Sequence, residues 1–393
     1  MSKRLVVCCD GTWDFADQQS RTNVTKVALS VRPGPAAGKD QRVYYHSGVG
    51  THRWERLPGG AFGVGLSWNV IDAYRFLVET YEPDDELFLF GFSRGAFTVR
   101  SLAGLVRNCG VVRREHANRI KEAWALYRDR IEKPTGAAST LFRGSYAHET
   151  EIHFIGVWDT VGALGIPVPD SKWLKPVVNQ FDQRWAFHDT ELSSWVKAAF
   201  HALAIDEQRS AFRPTLWHQQ PSAAEQGQEL KQVWFAGSHC DIGGGYKETG
   251  LSDITLLWMV DQARRYGLEF NAEALSAAGP SEMKSDESID FRVQPDPLGQ
   301  LHPSRTGLYR LATPLHRSLG GAAGNKCRLN EFLAVSAKER YDRDTEYRPP
   351  ELERYLGDQQ RVRLEPVILP GIGARQTEED RRQWPEEEAT STR

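Results

Sequence analysis

Short apolar runs separated by longer amphipathic stretches set the rhythm of this chain. Residues 4–9, 42–46, 87–90, 152–158 and 232–237 are apolar or nearly so, and each leads into a polar or glycine-containing turn. That is the pattern of strands buried on both faces. Ala202-Leu203-Ala204-Ile205-Asp206 reads as one more short strand. Between these runs the periodicity changes. Residues 23–31 read as a short helix with Asn23 near its cap. Val70, Ile71, Tyr74, Leu77, Val78 and Tyr81 fall at helical spacing and predict a helix over 68–81. Residues 96–107 are amphipathic and end at Cys109-Gly110. Ser252-Asp253 opens a strong helix that runs to Tyr266 and stops at Gly267. Strands alternating with helices predict an α/β domain, a mostly parallel sheet with helices on both faces.

The remaining stretches are less regular. Residues 111–150 read as mostly polar and helical. Residues 163–200 form an insertion, helical in part, with Trp173, Trp185, Phe187, Trp195 and Phe200. Region 270–370 mixes short elements. The tail from 371 to 393 is charged and is expected to lack fixed structure. One domain therefore spans 1–370. Its 163–200 insertion is a candidate lid or acyl-chain wall, with Trp185 and Trp195 as candidate substrate contacts.

In a parallel sheet of this kind, function gathers at the carboxyl ends of the strands. Asp10, Ser93, Asp159 and His239 each follow an apolar run directly or within a few residues. The sharpest of the four is Ser93. Leu87-Phe88-Leu89-Phe90 runs into Gly91-Phe92-Ser93-Arg94-Gly95, and a helix follows. This is a G-x-S-x-G nucleophile elbow in its strand–turn–helix setting, and it makes the sheet α/β-hydrolase-like. Glycine flanks the serine because a Cβ there would collide with neighbouring backbone. A plain reading of the same residues is an ordinary strand–helix connection with a capping serine.

A serine hydroxyl needs a base, commonly a histidine held by a carboxylate. Ser93, Asp159 and His239 follow the hydrolase chain order of nucleophile, acid, base. His201, His302 and His316 compete for the base, with His302 the strongest of them, and Asp206 and Asp241 compete for the acid. The oxyanion hole is expected to use the amide of Arg94 and one from Gly11 or Thr12, with Asp10 as an anchor of that loop. Asp10, Asp159, His239 and Asp241 together offer donors for a hard-cation or mixed metal site, but they lack a fixed ligand spacing, so neither metal nor other cofactor is expected.

Composition narrows the partners. The 393 residues carry a net charge of −3, with 40% hydrophobic and 26% charged residues. Lys and Arg are scattered, which argues against nucleic acid. No run approaches the length of a membrane span, and no cleaved leader precedes residues 5–9. The five cysteines include no C-x-x-C pair, which fits reduced thiols and a cytoplasmic location. A small-molecule or lipid ester is the expected ligand. A hydrolase-fold protein that binds a ligand or partner without catalysis is the alternative.

Four motifs together resemble one family. Cys9-Asp10-Gly11-Thr12-Trp13, Gly91-Phe92-Ser93-Arg94-Gly95-Ala96-Phe97, residues 156–162 (Gly-Val-Trp-Asp-Thr-Val-Gly) and residues 239–246 (His-Cys-Asp-Ile-Gly-Gly-Gly-Tyr) are similar to the motifs of the domain of unknown function 2235. That α/β-hydrolase family includes the catalytic domains of type VI secretion phospholipase effectors. The resemblance covers roughly 3–320. In the effector members a Ser-Asp-His triad cleaves phospholipid esters; by motif position the resemblance implies Ser93 as nucleophile, Asp159 as acid and His239 as base.

Overall fold

The computed structural model describes residues 2–11, 20–34, 39–48, 61–129, 131–161, 191–276, 291–311, 313–320 and 330–368. Ten strands occur among them: β1 (Lys3–Cys9), β2 (Asp40–His46), β3 (Glu86–Phe92), β4 (Val111–Val112), β5 (Ala147–His148), β6 (Ile152–Trp158), β7 (Ala198–Ala204), β8 (Glu229–Phe235), β9 (Glu331–Ala334) and β10 (Leu364–Glu365). Eight of these form one sheet in the order β10-β9-β8-β7-β6-β3-β1-β2. Every pairing in that sheet is parallel. β4 and β5 make a separate antiparallel pair. The architecture is the α/β-hydrolase-like sheet that the alternation of elements predicts.

Strand residues alternate between two cores because successive side chains point to opposite faces. Val6, Cys8, Phe88, Phe90, Phe154 and Trp158 enter one core, under the helices Asn23–Ser30 and Gly250–Arg265. Leu5, Val7, Leu87, Leu89, Ile155 and Val157 enter the other, under the helices Ala61–Thr80 and Arg94–Cys109. Near-complete burial of both faces explains the nearly unbroken apolar runs. Among the described residues, no helix is long and apolar enough to cross a membrane.

The chain begins in β1, moves outward to β2, and then crosses back to β3 on the other side of β1. The strand order therefore reverses between β1 and β3, and such a switch point opens a crevice at the carboxyl ends. Ser93 follows β3 at that crevice, and Asp159 follows the adjacent β6.

Two boundaries differ from the sequence expectation. β7 begins at Ala198 rather than at Ala202, so the last residues of the 163–200 insertion are sheet. Small alanines around Phe200 and His201 hide a buried strand from a hydropathy scan. The 250–265 helix starts at Gly250, before Ser252-Asp253, with Thr249 at its cap position. Thr249 Oγ1 donates to Asp253 Oδ2 at 2.7 Å, so Asp253 anchors the first turn from inside it. Residues 162–190, with Trp173, Trp185 and Phe187, lie outside the described residues, as does the 371–393 tail.

Candidate active site

The elbow is tight enough to dictate its own sequence. A Cβ on Gly91 would lie 2.5 Å from the Gly95 carbonyl oxygen, and one on Gly95 would lie 2.0 Å from the Cys9 carbonyl oxygen. Only glycine fits both places. Ser93 itself has φ 56° and ψ −117°, outside the regions an L-residue favours. Its amide donates to the Trp158 carbonyl at 3.0 Å, which ties the turn to the end of β6. Its side chain makes no capping bond to the helix Arg94–Cys109 that it introduces. The hydroxyl is therefore not spent on the structural task that a plain helix-start serine performs.

Asp159 also has positive φ, at 38°. Ser93, Asp159 and Asp84 are the non-glycine residues with positive φ among those described, and the first two sit at neighbouring strand ends. Backbone strain of about 1–3 kcal/mol per residue persists only where surrounding structure enforces it, and it concentrates at functional sites.

The Asp159 carboxylate is fully saturated. Oδ2 meets His239 Nδ1 at 2.6 Å, and Oδ1 accepts from the Ala204 amide at 3.1 Å. Arg317 completes the set, Nη1 to Oδ1 at 2.6 Å and Nη2 to Oδ2 at 3.0 Å. Burial works to raise the Asp159 pKa. The Arg317 guanidinium and the His239 contact outweigh it and hold the group well below the usual carboxylate range.

His239 opens a short helix, His239–Gly243, rather than lying on an open loop. Ser238 and Asp241 form a capping box at its start, which fixes the backbone that carries the imidazole. The ring lies between Phe92 and Phe212, with centroids at 4.6 Å and 4.9 Å. Phe92 immediately precedes Ser93, so this contact brings the histidine to the elbow. Burial lowers the His239 pKa, and the Asp159 contact opposes that shift. With Nδ1 committed to Asp159, Nε2 is the nitrogen left for a third group.

The competing groups are occupied elsewhere. His302 Nδ1 contacts Asp241 Oδ1 at 2.6 Å, and its ring stacks on Tyr246 at 3.9 Å. Asp241 is therefore the partner of His302 and of the capping box. His201 lies inside β7, where its Nε2 accepts from the Thr160 amide at 3.0 Å, and burial pushes its pKa down to about 3. His316 is exposed. Asp206 accepts from the Gly237 amide and the Tyr347 hydroxyl. Asp10 accepts from Thr22 and Thr25 hydroxyls, the Tyr45 hydroxyl and the Gly11 amide, in the anchoring position expected of it. Asp10, the Asp159–His239 pair and Asp241 thus belong to three separate hydrogen-bonded groups.

Two expected site residues need correction. The Gly11 amide points to Asp10 Oδ1 at 2.8 Å, so it is spent on the loop anchor rather than turned toward an oxyanion. Trp195 is at the wrong end of the sheet for a substrate contact. Its carbonyl accepts from the amide of Ile152, the first residue of β6, at 2.8 Å, while Asp159 follows the last. At about 3.3 Å per residue, the strand separates them by roughly 20 Å. The Trp195 indole instead lies under the guanidinium of Arg107 at 4.3 Å. Leu192 and Val196 beside it are buried core. Trp185 and Thr12 lie outside the described residues.

Sequence reasoning missed Arg317. It lies in a region of weak periodicity, next to the exposed His316, and no motif flags it. A lone arginine after a histidine is no signal by itself; only its contact with Asp159 reveals it.

The T6SS phospholipase effector Tle1-like catalytic domain matches residues 3–262. A 235-residue stretch is 28% identical to the uncharacterized protein YEL023C of Saccharomyces cerevisiae, covering 54% of this chain and 32% of that protein. The chain thus spans about a third of that relative's length. An uncharacterized protein from Pseudomonas aeruginosa is similar in structure, with TM-score 0.42 and 18% identity over 70% of this chain and 47% of that one. The Tle1 effector bound to the VgrG spike of the type 6 secretion system has TM-score 0.33 and 18% identity, covering 64% of this chain and 52% of the other. The family match spans more than half of the chain and includes Ser93, Asp159 and His239: this chain belongs to the Tle1-like phospholipase effector catalytic domain family, the domain of unknown function 2235.

Proposed function

We propose that this chain is a serine hydrolase of carboxylic esters, with lipid esters, phospholipids among them, as its substrate class. Ser93 is the nucleophile, His239 the general base and Asp159 the acid that orients it. The observation that carries this reading is the ionised, fully bonded Asp159 against His239 at 2.6 Å, on the strand end beside an elbow serine whose hydroxyl does not cap its helix. Family membership supports the ester chemistry.

The steps follow from the groups present. His239 Nε2 takes the proton of Ser93 Oγ as that oxygen attacks the ester carbonyl. Asp159 keeps the proton of His239 on Nδ1 and stabilises the imidazolium that forms. The negative charge on the carbonyl oxygen develops beside the Arg94 amide and the N-terminus of its helix, with Thr12 as the proposed second donor. Collapse expels the alcohol, which takes its proton from His239 and leaves an acyl group on Ser93. Water, deprotonated by the same imidazole, then releases the carboxylic acid and restores Ser93.

A serine-reactive fluorophosphonate tests this directly. Stoichiometric labelling at Ser93, abolished in Ser93→Ala, is expected. Absence of labelling in a folded protein that still binds a lipid or partner would favour the non-catalytic alternative.

A further inference from the structure

Arg317 lies beyond residues 3–262, the stretch that matches the family. It nevertheless reaches the centre of the site. Its side chain and that of Asp159 are both fully buried, with 0% exposure each. The two guanidinium–carboxylate contacts form a parallel fork. The same guanidinium donates to the Ala204 carbonyl at 2.9 Å and to the Phe212 carbonyl at 2.5 Å. One side chain thus joins the acid at the end of β6, the end of β7, and the segment whose Phe212 ring packs on His239.

We propose that Arg317 is a positioning residue for the ester hydrolysis assigned above: its fork locks the Asp159 carboxylate in place and competes with His239 for that carboxylate's charge. The inference rests on the roles of Ser93, Asp159 and His239. Asp159 Oδ2 is shared between Arg317 Nη2 and His239 Nδ1, so its negative charge is divided between two cationic partners. Without Arg317 the whole charge would fall on His239, stabilise the imidazolium and leave more of the base already protonated.

The other charges that face His239 cancel in part. Glu207 accepts from the His239 amide at 3.3 Å and is paired through both oxygens with Arg209, at 2.9 Å and 2.7 Å. His201, buried behind Thr160, is neutral. Arg209 and Glu207 act on the imidazole in opposite senses and stay paired when Arg317 is removed, so the change Arg317 makes reaches His239 through Asp159. A buried carboxylate that lost this partner would also lose two of its four contacts, so position and charge change together. The family's functional site in this chain is then completed from a segment that the family match does not reach.

The test uses the full chain and a short p-nitrophenyl ester. The dependence of kcat/KM on pH is measured for wild type, Arg317→Gln and Arg317→Lys, alongside fluorophosphonate labelling of Ser93 and thermal melting. Wild type is expected to have an acid-limb midpoint below the ordinary histidine value of about 6.5. Arg317→Gln should raise that midpoint by about one unit and lower kcat about tenfold or more. Arg317→Lys keeps the charge but not the fork, so its midpoint should stay near wild type while kcat falls. A folded Arg317→Gln with a wild-type midpoint would overturn the proposal. Should the glutamine variant fail to fold, a wild-type midpoint at or above about 6.5, or a lysine variant with unchanged kcat, would overturn it. A wild-type protein that neither hydrolyses the ester nor labels at Ser93 would instead remove the catalytic reading and this inference with it.

Discussion

Two aspartate–histidine pairs occupy this protein, Asp159 with His239 and Asp241 with His302, and both close at 2.6 Å. Locally they are almost indistinguishable. Their surroundings are not. Asp159 stands in a strained turn at the end of β6, next to the elbow strand, with Arg317 holding its far side. Asp241 is the third residue of a short helix and spends its second oxygen on the Ser238 amide and hydroxyl. The His302 ring is stacked on Tyr246, and its Nε2 lies 3.4 Å from Glu248. Both nitrogens of His302 thus face carboxylates, whereas His239 meets Asp159 through Nδ1, and in the proposed mechanism its Nε2 serves Ser93. An Asp–His contact does not make a catalytic pair; its place on the sheet and what the second ring nitrogen faces decide that.

The largest expected effect removes the group that the first pair serves in the proposed mechanism. Ser93→Ala should lower ester turnover by about three orders of magnitude or more while the melting temperature stays within a few degrees of wild type. Wild-type-like turnover would end the contrast, because neither pair would then serve a nucleophile.

Replacing the two histidines separates the pairs themselves. His239→Ala should cost about a thousandfold or more in kcat. His302→Ala should cost less than about tenfold in kcat but lower stability by about 1–2 kcal/mol, since it leaves Asp241 with a lost partner. Parallel pH–rate profiles and melting curves for the two variants read both outcomes. A larger catalytic loss for His302→Ala would reverse the roles assigned here.

A third carboxylate sharpens the point by its sign. Burial raises the Asp206 pKa to about 6, and its hydrogen bonds only partly oppose that. Its folded pKa lies above the unfolded value, so its contribution to stability is present at low pH and is lost as pH rises through about 6. Asp159 has the opposite sign: its contribution is present above the unfolded carboxylate range and is lost only in strong acid. Asp206→Asn should therefore remove about 2–3 kcal/mol of the stability loss between acid and neutral pH. Denaturant melts at two pH values check this, and an unchanged pH slope would contradict it.

The smallest effect concerns the opposite end of the sheet. Trp195→Ala should lower stability by about 1–2 kcal/mol through lost packing and the Arg107 contact. The ratio of long-chain to short-chain ester hydrolysis should not change. A selective loss on long chains would place this tryptophan functionally nearer the elbow than its strand end allows.

Much of the architecture was legible because burial leaves a periodic trace. Strands covered on both faces show as apolar runs, and the inner stretches Leu5–Cys9 of β1, Leu87–Phe92 of β3, Phe154–Trp158 of β6 and Val233–Phe235 of β8 do, with their polar residues at the entry ends. The elbow was legible because its geometry excludes every side chain at Gly91 and Gly95. β7 was legible only in its second half, since small residues around a buried histidine carry little hydropathy signal. The strand pairings β8–β9 and β9–β10 involve short segments whose partners are remote in the chain. Trp195 was misread because aromatic content says nothing about which end of a sheet a residue reaches.

What the sequence determined by itself is therefore local: where strands and helices occur, that Ser93 sits in a turn only glycines can flank, and the chain order of Ser93, Asp159 and His239. Tertiary structure decided which histidine meets which carboxylate. It also turned the Gly11 amide to Asp10 and brought Arg317 across 158 positions to Asp159. The physical reason is range. Sterics and burial act on neighbouring residues and leave a pattern along the chain. Charge pairing in a buried site acts between residues that only folding makes neighbours.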